Sequence, residues 1–414
     1  MSRPTFDPGA EAVAAEILAD IRDRGLKAVL DAARRIDGAA LSPARLRVSE
    51  AEIAAARRAV PEQTRKRIEE AHERVAAFSR KSMRGDWRTP TPGGGSLGER
   101  WTPLGSVGVY VPGGTAPLAS TVVMTATLAQ VAGVRRIVAC TPCAKDGSVR
   151  PEVLLAMETC GVTEIYRVGG VQAIGLMAYG AGRIAPVDKI VGPGNAFVTA
   201  AKRQVYGTVA LDLVAGPSEI AVLADSSARA EWVAADLLSQ AEHGSGLERS
   251  LFATDSPELA RKVAGALPRM IEKMARRDKV ERVVAAGGIL LAKVPDLPSG
   301  MQLVNRFAPE HLELAVAKPE KWIPLATRAG AVFAGHWTTE SAGDFAAGPS
   351  HVLPTGGAAG KFGGLTVDDF RHRTSVVRYT KADLRDALPV IRAFADIEGL
   401  GGHRAAADIR FARG

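Results

Sequence analysis

Two polar pairs in the second half of the chain have the residue types of an active site. Gln240 and His243 are three residues apart near the end of a predicted helix, so both side chains project from one face. Glu310 and His311 are adjacent at the predicted start of a strand, and a carboxylate beside an imidazole can serve as an acid/base pair. The first pair has the spacing of two ligands of one metal ion. A single helical histidine is more often structural, so a metal site needs further ligands.

Further candidate ligands lie closer to the carboxyl terminus. His351 precedes an apolar stretch, and Asp344 lies upstream of it. His403 lies in a glycine-rich turn with Glu398 nearby. Each of these residues alone is a weak signal. Together with the first pair they supply the imidazole and oxygen ligands that suit Zn²⁺, and they predict a zinc site.

Two glycine-rich segments, 111–115 and 191–195, each follow a predicted strand and precede a predicted helix. Glycine lets the backbone approach a ligand closely, and a helix N-terminus favours anions. Their position at strand ends favours a phosphate-bearing ligand, with simple tight turns as the alternative. Residues 93–98 also match the dinucleotide pattern G-x-G-x-x-G, but they follow Thr-Pro-Thr-Pro rather than a strand. We interpret that match as a chance one.

The elements that must position these residues alternate between strand and helix from residue 106 onward. In the first series, apolar runs predict strands at 106–111, 136–140 and 164–168, with helices at 120–132, 151–160 and 171–179. In the second series they predict strands at 220–224, 250–253, 289–291 and 331–334, with helices at 228–242 and 257–274. The fold class predicted is α/β, with two Rossmann-like, doubly wound domains and helical N-terminal and C-terminal extensions.

The composition excludes several classes of protein. With 414 residues, 46% hydrophobic and 24% charged, the chain has the proportions of a folded globular protein with two or three domains. It has no apolar run long enough to span a membrane, no apolar signal-peptide core and too few cysteines for a disulfide scaffold, so we expect a cytoplasmic protein. The net charge of +8 would attract phosphates. Because basic residues alternate with acids, nucleic-acid binding is only a minor alternative.

A series of longer motifs makes the chain resemble the histidinol dehydrogenase family over nearly its whole length. The motifs are YVPGG at 110–114, VDKIVGPGN at 187–195, AGPSE at 215–219, DLLSQAEH at 236–243, APEHL at 308–312, ESAGD at 340–344 and HVLPT at 351–355. The resemblance implies a zinc-containing enzyme of histidine biosynthesis. Such an enzyme oxidises L-histidinol to L-histidine through an aldehyde-level intermediate and reduces NAD twice.

The resemblance also implies a role for each matching position. The implied zinc ligands are Gln240, His243, Asp344 and His403. His311 would act as the base and Glu310 would activate water for the second oxidation. The implied substrate contacts are Ser218, His311, His351 and Glu398, together with the zinc ligands. The implied NAD contacts are Tyr110, Gln172 and Asn195.

The family resemblance further implies an intertwined homodimer, in which Glu398 and His403 complete the site of the partner. The domain organisation expected from it has four parts. These are an N-terminal helical arm at 1–20, a discontinuous α/β domain at 21–109 plus 218–361 that carries the zinc and catalytic residues, an α/β NAD-binding domain at 110–217, and a dimerisation tail at 362–414.

Two departures from the family pattern leave a second enzyme open. Phe345 and Ser350 stand where the family more often has Tyr and Asn, and both adjoin pocket residues. The alternative is a paralogous zinc and NAD dehydrogenase that oxidises another small polar alcohol, such as a sulfonated diol. Glu398 favours histidinol, because a carboxylate attracts the substrate ammonium and repels a sulfonate. A zinc hydrolase is a further alternative, since a Glu-His pair near a metal can activate water.

Overall fold

The computed structural model describes residues 7–113, 118–213, 216–243 and 245–412. Gly114, Thr115 and Ala215, which belong to motifs named above, lie outside the described residues, as do residues 1–6 of the predicted arm. The strands are β1 (Trp87–Pro90), β2 (Ser96–Pro103), β3 (Ser106–Tyr110), β4 (Arg136–Cys140), β5 (Glu164–Tyr166), β6 (Lys189–Val191), β7 (Ala210–Leu211), β8 (Glu219–Ala224), β9 (Arg249–Thr254), β10 (Ile289–Lys293), β11 (His311–Ala315), β12 (Ala331–Ala334) and β13 (Arg371–Arg378).

The helices alternate with these strands through most of the chain. They are α1 (Pro8–Arg24), α2 (Leu26–Ala32), α3 (Pro43–Leu46), α4 (Glu50–Ala59), α5 (Glu62–Ser82), α6 (Ala119–Ala132), α7 (Pro151–Thr159), α8 (Gly170–Tyr179), α9 (Ala196–Val205), α10 (Ala230–Ala241), α11 (Pro257–Ile271), α12 (Arg277–Ala285), α13 (Leu297–Phe307), α14 (Glu340–Ala342), α15 (Lys381–Ile397) and α16 (Gly401–Asp408). Within the described ranges, no helix is long and apolar enough to cross a membrane.

The chain forms two compact units. The first comprises Met1–Ser82 with Leu104–Phe370 and contains both parallel sheets. The second comprises Met83–Pro103 with Arg371–Gly414 and contains an antiparallel sheet and the last two long helices. The four-part domain division expected from the family stays a prediction.

The first parallel sheet has the strand order β5-β4-β3-β6-β7. Counted from its first strand this is 3-2-1-4-5, the order of a Rossmann-like sheet. Helices α1, α8 and α9 cover one face, and α6 and α7 cover the other. The helical spacing of Val13, Ile17, Leu18 and Ile21 predicts one apolar stripe on α1. The last three lie in the core of the first face, whereas Val13 is exposed.

The second parallel sheet repeats this strand order with β10-β9-β8-β11-β12. Helices α10, α11 and α12 bury their apolar faces against one side, and α13 covers the other. Strands buried on both faces consist of nearly continuous apolar runs, and this explains why the sequence reveals β8 and β9 so clearly. The predicted α/β class with two doubly wound, Rossmann-like sheets is confirmed.

The second unit contains strands that the sequence pattern did not predict. β13 pairs antiparallel with β2 from Arg371↔Pro103 to Arg378↔Ser96, and β2 pairs with β1. Residues 93–98 therefore lead from a turn into an antiparallel strand rather than into a helix. β1 ends three residues before Gly93, so the expectation that no strand precedes this segment was wrong. The dinucleotide pattern also needs a helix directly after it, and here a strand follows, which supports a chance match.

Candidate active site

A cavity of about 730 Å³ lies between the carboxyl edge of the first parallel sheet and the amino edge of the second. The first sheet contributes the loop and helix start around Asn195, which follow β6. The second sheet contributes Ser218 before β8 and the Glu310-His311 pair at the start of β11. His243 also lines the cavity. The cavity therefore brings together candidate residues that are far apart in the chain.

Backbone groups of β8 orient the Glu310-His311 pair. β8 and β11 are parallel neighbours, with His311 opposite Ile220. His311 Nδ1 lies 3.0 Å from the Glu219 carbonyl oxygen, and the Glu219 N–H donates to Glu310 Oε2 at 3.0 Å. Because a carbonyl can only accept, Nδ1 carries the proton in this bond. His311 Nε2 is therefore the ring atom that can act as a base, and its nearest charged neighbour is Asp344 Oδ1 at 3.4 Å.

The turn before this pair is conformationally unusual. Ala308 ends α13 with φ 48°, the one non-glycine residue with positive φ among the residues described. An alanine in the left-handed region costs about 1–2 kcal/mol. The turn directs the chain through Pro309 into Glu310, so the surrounding structure stabilises a strained connection next to the site.

The pKa values of Glu310 and His311 are both raised, but for different reasons. Burial raises the pKa of Glu310 to about 7. Burial alone would favour neutral His311, but the Glu310 and Asp344 carboxylates outweigh it and raise the pKa of His311 to about 10. Strongly perturbed acids and bases that line one cavity are typical of functional sites.

The candidate zinc ligands of the first unit have the chemistry that zinc needs. Gln240 is fully buried on α10, and neither its amide oxygen nor its amide nitrogen finds a hydrogen-bond partner within the part of the chain that is described. His243 Nδ1 lies 3.2 Å from Ser218 Oγ, and poor solvation of the charged ring lowers the pKa of His243, which favours the neutral, ligating form. Burial opposes ionisation of Asp344, but the adjacent His311 ring, whose Nε2 lies 3.4 Å from Asp344 Oδ1, prevails and lowers the pKa of Asp344. An unpartnered amide, a neutral imidazole and an ionised carboxylate fit a zinc ion.

A second combination of possible metal ligands overlaps this one. Ligand atoms of His311, Glu340 and Asp344 all lie within 4.8 Å of one another. Burial, followed by the Asp344 charge, raises the pKa of Glu340 to about 7. The sequence interpretation assigned no role to Glu340, although its spacing of one helical turn before Asp344 was a usable signal.

The remaining substrate candidates divide between the two units. His351 lines the cavity in the first unit, and burial lowers its pKa. Glu398 follows α15 and His403 lies in α16, both exposed in the second unit. The roles of Glu398 and His403 stay predictions.

The two departures from the family pattern have different surroundings. Phe345 lines the cavity and is 57% exposed. Ser350 is buried, and its hydroxyl donates to the Met124 carbonyl oxygen at 2.8 Å without lining the cavity. Only Phe345 is therefore in a position to affect the shape of the pocket.

The predicted cofactor residues all lie at the carboxyl edge of the first sheet. Asn195 caps α9 by accepting a hydrogen bond from the Val198 N–H at 3.1 Å. The Tyr110 hydroxyl accepts from the Gly170 N–H at 3.1 Å, and Gln172 Nε2 donates to Asp37 Oδ2 at 2.9 Å. Tyr110 and Gln172 are buried and do not line the cavity, whereas Asn195 does.

The second glycine-rich turn is a place of close backbone approach. Gly192 has φ 111°, and a Cβ there would overlap the carbonyl oxygen of Tyr110. The turn thus needs glycine for conformation and for space.

Comparison with known proteins identifies the family. The family model described as histidinol dehydrogenase matches residues 3–411. The chain belongs to the histidinol dehydrogenase family. It is 45% identical to the histidinol dehydrogenase of Moorella thermoacetica over an alignment of 402 residues. This alignment covers 97% of this chain and 94% of that relative. It is 44% identical to that of Heliobacterium mobile, with coverage of 99% and 96%. Membership of the family makes the chain an oxidoreductase.

Solved structures agree with this assignment. The crystal structure of histidinol dehydrogenase from Elizabethkingia anophelis matches with a TM-score of 0.93 at 34% identity, covering 97% of this chain and 92% of that one. An acetylating aldehyde dehydrogenase from Geobacillus thermoglucosidasius matches with a TM-score of 0.52 at 16% identity, covering 89% and 98%. The second likeness concerns the fold alone.

Proposed function

We propose that this family member catalyses the NAD-dependent, four-electron oxidation of L-histidinol to L-histidine through L-histidinal, the last steps of histidine biosynthesis. The observation that carries the proposal is the convergence of Glu310, His311, His243 and Asp344 on one cavity. In the balanced reaction, one alcohol, two NAD⁺ and one water give one carboxylate, two NADH and three protons.

Zinc would be held by Gln240, His243 and Asp344 with His403 from a second copy of the chain, and its charge would hold the histidinol imidazole and amine and offset the Asp344 carboxylate. The unpartnered, buried amide of Gln240 supports this ligand set. In the chain by itself, a pKa of about 10 keeps His311 protonated at neutral pH. A bound cation that offset the Asp344 charge would remove part of this cause and would lower the pKa of His311 toward values at which Nε2 can accept a proton.

His311 is the base in this proposal. Its Nδ1–H is held by the Glu219 carbonyl, so Nε2 is the atom that takes the alcohol proton in the first oxidation. The same atom would take the hydroxyl proton of the hydrated aldehyde in the second oxidation. The hydride acceptor would be NAD, for which Tyr110, Gln172 and Asn195 are the proposed contacts.

Glu310 is proposed to activate the water that adds to the aldehyde. Its pKa of about 7 lets a substantial fraction of the carboxyl group be ionised, and so able to accept a proton, near neutral pH. The Glu219 N–H holds Oε2 in place, so the carboxylate keeps a defined orientation. Ser218, His351 and Glu398 complete the proposed substrate contacts, with Glu398 from the second copy.

The test is the stoichiometry of NADH formed from L-histidinol and NAD⁺, before and after chelation. Two NADH per histidinol, lost on chelation and restored by Zn²⁺, is the expected result. NADH formation from a sulfonated diol but not from histidinol would replace the proposed substrate with that of a paralogue. Turnover of a substrate without NADH would contradict the oxidation itself.

The shared site has its own test, mixing of two inactive variants. If His403 acts in the partner's site, His403→Ala mixed with His311→Asn restores roughly a quarter of the wild-type rate, because half of the randomly exchanged dimers are hybrids with one intact site. Zinc content of His403→Ala alone should fall. A mixture that remains inactive although the subunits exchange would contradict the shared site.

A further inference from the structure

The first parallel sheet lacks the acid that a Rossmann-like NAD site normally has. In such sites an Asp or Glu about 20 residues after the glycine-rich turn, at the end of the second strand, binds the adenosine ribose hydroxyls. The second strand here is β4, which ends at Cys140 and continues as Thr141-Pro142-Cys143. None of these residues carries a charge.

The loop residues that directly follow these strand ends are tightly packed against one another. A Cβ at Gly113 would lie 2.8 Å from Pro142, and a Cβ at Gly169 would lie 2.7 Å from it. Pro142 therefore fills the space between the loops that follow β3 and β5. The acid of the loop that follows β4, Asp146, is exposed, and its Oδ1 accepts a hydrogen bond from the Ser148 N–H at 2.8 Å. A carboxylate at the packed strand ends themselves therefore comes from another part of the chain.

Asp37 supplies a carboxylate at this edge. It ends the π-helical turn Ala33–Asp37, far ahead of the sheet in sequence, and its Oδ2 accepts a hydrogen bond from Gln172 Nε2 at 2.9 Å. Gln172 is fully buried, and its Oε1 has no hydrogen-bond partner among the residues described. A short π-helical turn is itself a frequent mark of a functional position.

The charge of Asp37 acts on the ends of both neighbouring strands. Burial is the main cause that raises the pKa of Tyr110, the last residue of β3, to about 12, and the charge of Asp37 adds to it. Burial also raises the pKa of Cys143, after β4. Arg167 opposes this shift, and the charges of Asp37 and Asp146 add to it. Asp37 itself is half-buried, and its pKa is raised by burial against the opposing effect of Gln172.

We propose that Asp37 binds the adenosine ribose of NAD and selects NAD over NADP, a proposal that rests on the NAD dependence proposed above. The carboxylate can accept hydrogen bonds from the ribose hydroxyls, and the unpartnered Gln172 Oε1 is a second acceptor beside it. A 2′-phosphate in the same place would bring its negative charge against Asp37. Lys145, exposed and packed beside Gly38, would by itself favour a phosphate, so Asp37 is the group that discriminates.

The test measures cofactor binding without substrate, by fluorescence titration. The ligands are NADH, NADPH and the analogue of NADH that lacks the 2′-hydroxyl of the adenosine ribose. We expect the wild type to bind the 2′-deoxy analogue about tenfold more weakly than NADH, as for loss of one hydrogen bond to a charged group. In Asp37→Asn we expect NADH to bind about tenfold more weakly and NADPH at least as tightly as in the wild type. Asn keeps an acceptor for Gln172 Nε2, so the melting temperature should stay unchanged.

Asp31→Asn is the matched control, because Asp31 lies exposed on α2 and pairs with Arg24. It should leave all three affinities unchanged. The role of Asp37 would be overturned if the wild type bound NADH and its 2′-deoxy analogue equally. It would also be overturned if Asp37→Asn retained the preference for NADH over NADPH. Neither result would contradict the proposed NAD dependence. A wild type that binds no NADH would overturn the proposed NAD dependence together with the role of Asp37.

Discussion

The two parallel sheets of this protein share one strand order but face the candidate active site with opposite edges. The first sheet presents its carboxyl edge, where the glycine-rich turn at Gly192 and the helix cap Asn195 follow β6. The second presents its amino edge, where Glu219 and His311 begin neighbouring strands. Open α/β sheets usually bind ligands at the carboxyl edge, where the strand order reverses. The first sheet follows this rule and the second does not.

Different side chains occupy the two edges of the second sheet. At its carboxyl edge, between β8 and β11, Asp225 Oδ2 accepts from the Ala317 N–H at 3.0 Å and Oδ1 accepts from the Ser227 N–H at 3.0 Å. These bonds tie together the loops that follow the two strands. At the amino edge the Glu219 peptide instead orients Glu310 and His311. Strand order therefore creates possible crevices, and local side chains decide which of them is used.

The largest expected effect comes from comparing histidines at the two edges of the second sheet. His311→Asn should lower kcat about 10²–10⁴-fold in both oxidations, because it removes the base. His336→Asn is the control, since His336 follows β12 at the opposite edge and contacts Ser227 Oγ at 3.0 Å. Steady-state NADH formation and zinc content check both variants. Equal losses in the two variants would show that the amino edge has no special role.

Glu310→Gln should separate the two oxidations. We expect rapid formation of one NADH per site, followed by a second phase slowed at least about 100-fold, because only the second step needs an activated water. Rapid-mixing absorbance at the NADH band measures both phases. Glu313→Gln, on the same strand, is the control, because burial and then the charge of Asp236 raise the pKa of Glu313 well above its ordinary value, which favours its uncharged form. Two unchanged phases in Glu310→Gln would remove Glu310 as the activator.

Gly192→Ala tests the close approach at the carboxyl edge of the first sheet. The added Cβ meets both a positive φ and the Tyr110 carbonyl, so we expect a loss of about 3 kcal/mol in the free energy of unfolding. Gly207 has φ 96° but open space around it, so Gly207→Ala should lose only about 1 kcal/mol. Urea denaturation measures the difference. Equal losses would show that backbone conformation, not space, is what requires glycine at 192.

The smallest expected effect concerns Arg167, which follows β5 at the same edge. Its side chain is 4% exposed and bonds Glu52, which is 46% exposed. The Arg167 hydrogen bonds lower the pKa of Glu52 to about 2. A depressed carboxyl pKa stabilises the fold above the ordinary value near 4.5, and the stabilisation is lost as the pH falls toward 2.

Glu52→Gln should therefore cost about 1 kcal/mol at pH 7, a value kept small because Glu52 is partly exposed to solvent. The difference from the wild type should shrink as the pH falls below 4.5. Gln preserves the helix cap with Ser49, so the cap does not contribute to the loss. Glu50→Gln, in the same helix turn, is the control. The measurement is chemical denaturation of each variant at pH 7 and at a pH below 4.5. A difference independent of pH would mean that ionisation of Glu52 is not its source.

The local hydrophobic pattern of the sequence was sufficient to predict strands of the two buried parallel sheets. It was not sufficient to predict the strands of the exposed antiparallel sheet. β8 is an uninterrupted apolar run and could be predicted directly. β13 reads Arg-His-Arg-Thr-Ser-Val-Val-Arg, largely exposed along its length, and its polar residues obscure the alternation that would indicate a strand. Its existence depends on pairing with β2, a partner more than two hundred residues away.

By itself, the sequence determined the alternation of strands and helices, the glycines of the turn at Gly192, and the neighbouring pairs Gln240 with His243 and Glu310 with His311. These follow from periodicity, backbone conformation and short spacing, which are local properties of a chain. The tertiary structure decided which ring nitrogen of His311 can act as a base, which edge of each sheet faces the cavity, and that Asp37 reaches a sheet that begins about seventy residues later. Those outcomes depend on contacts between distant segments, and on desolvation and charge that arise only when the segments are packed together.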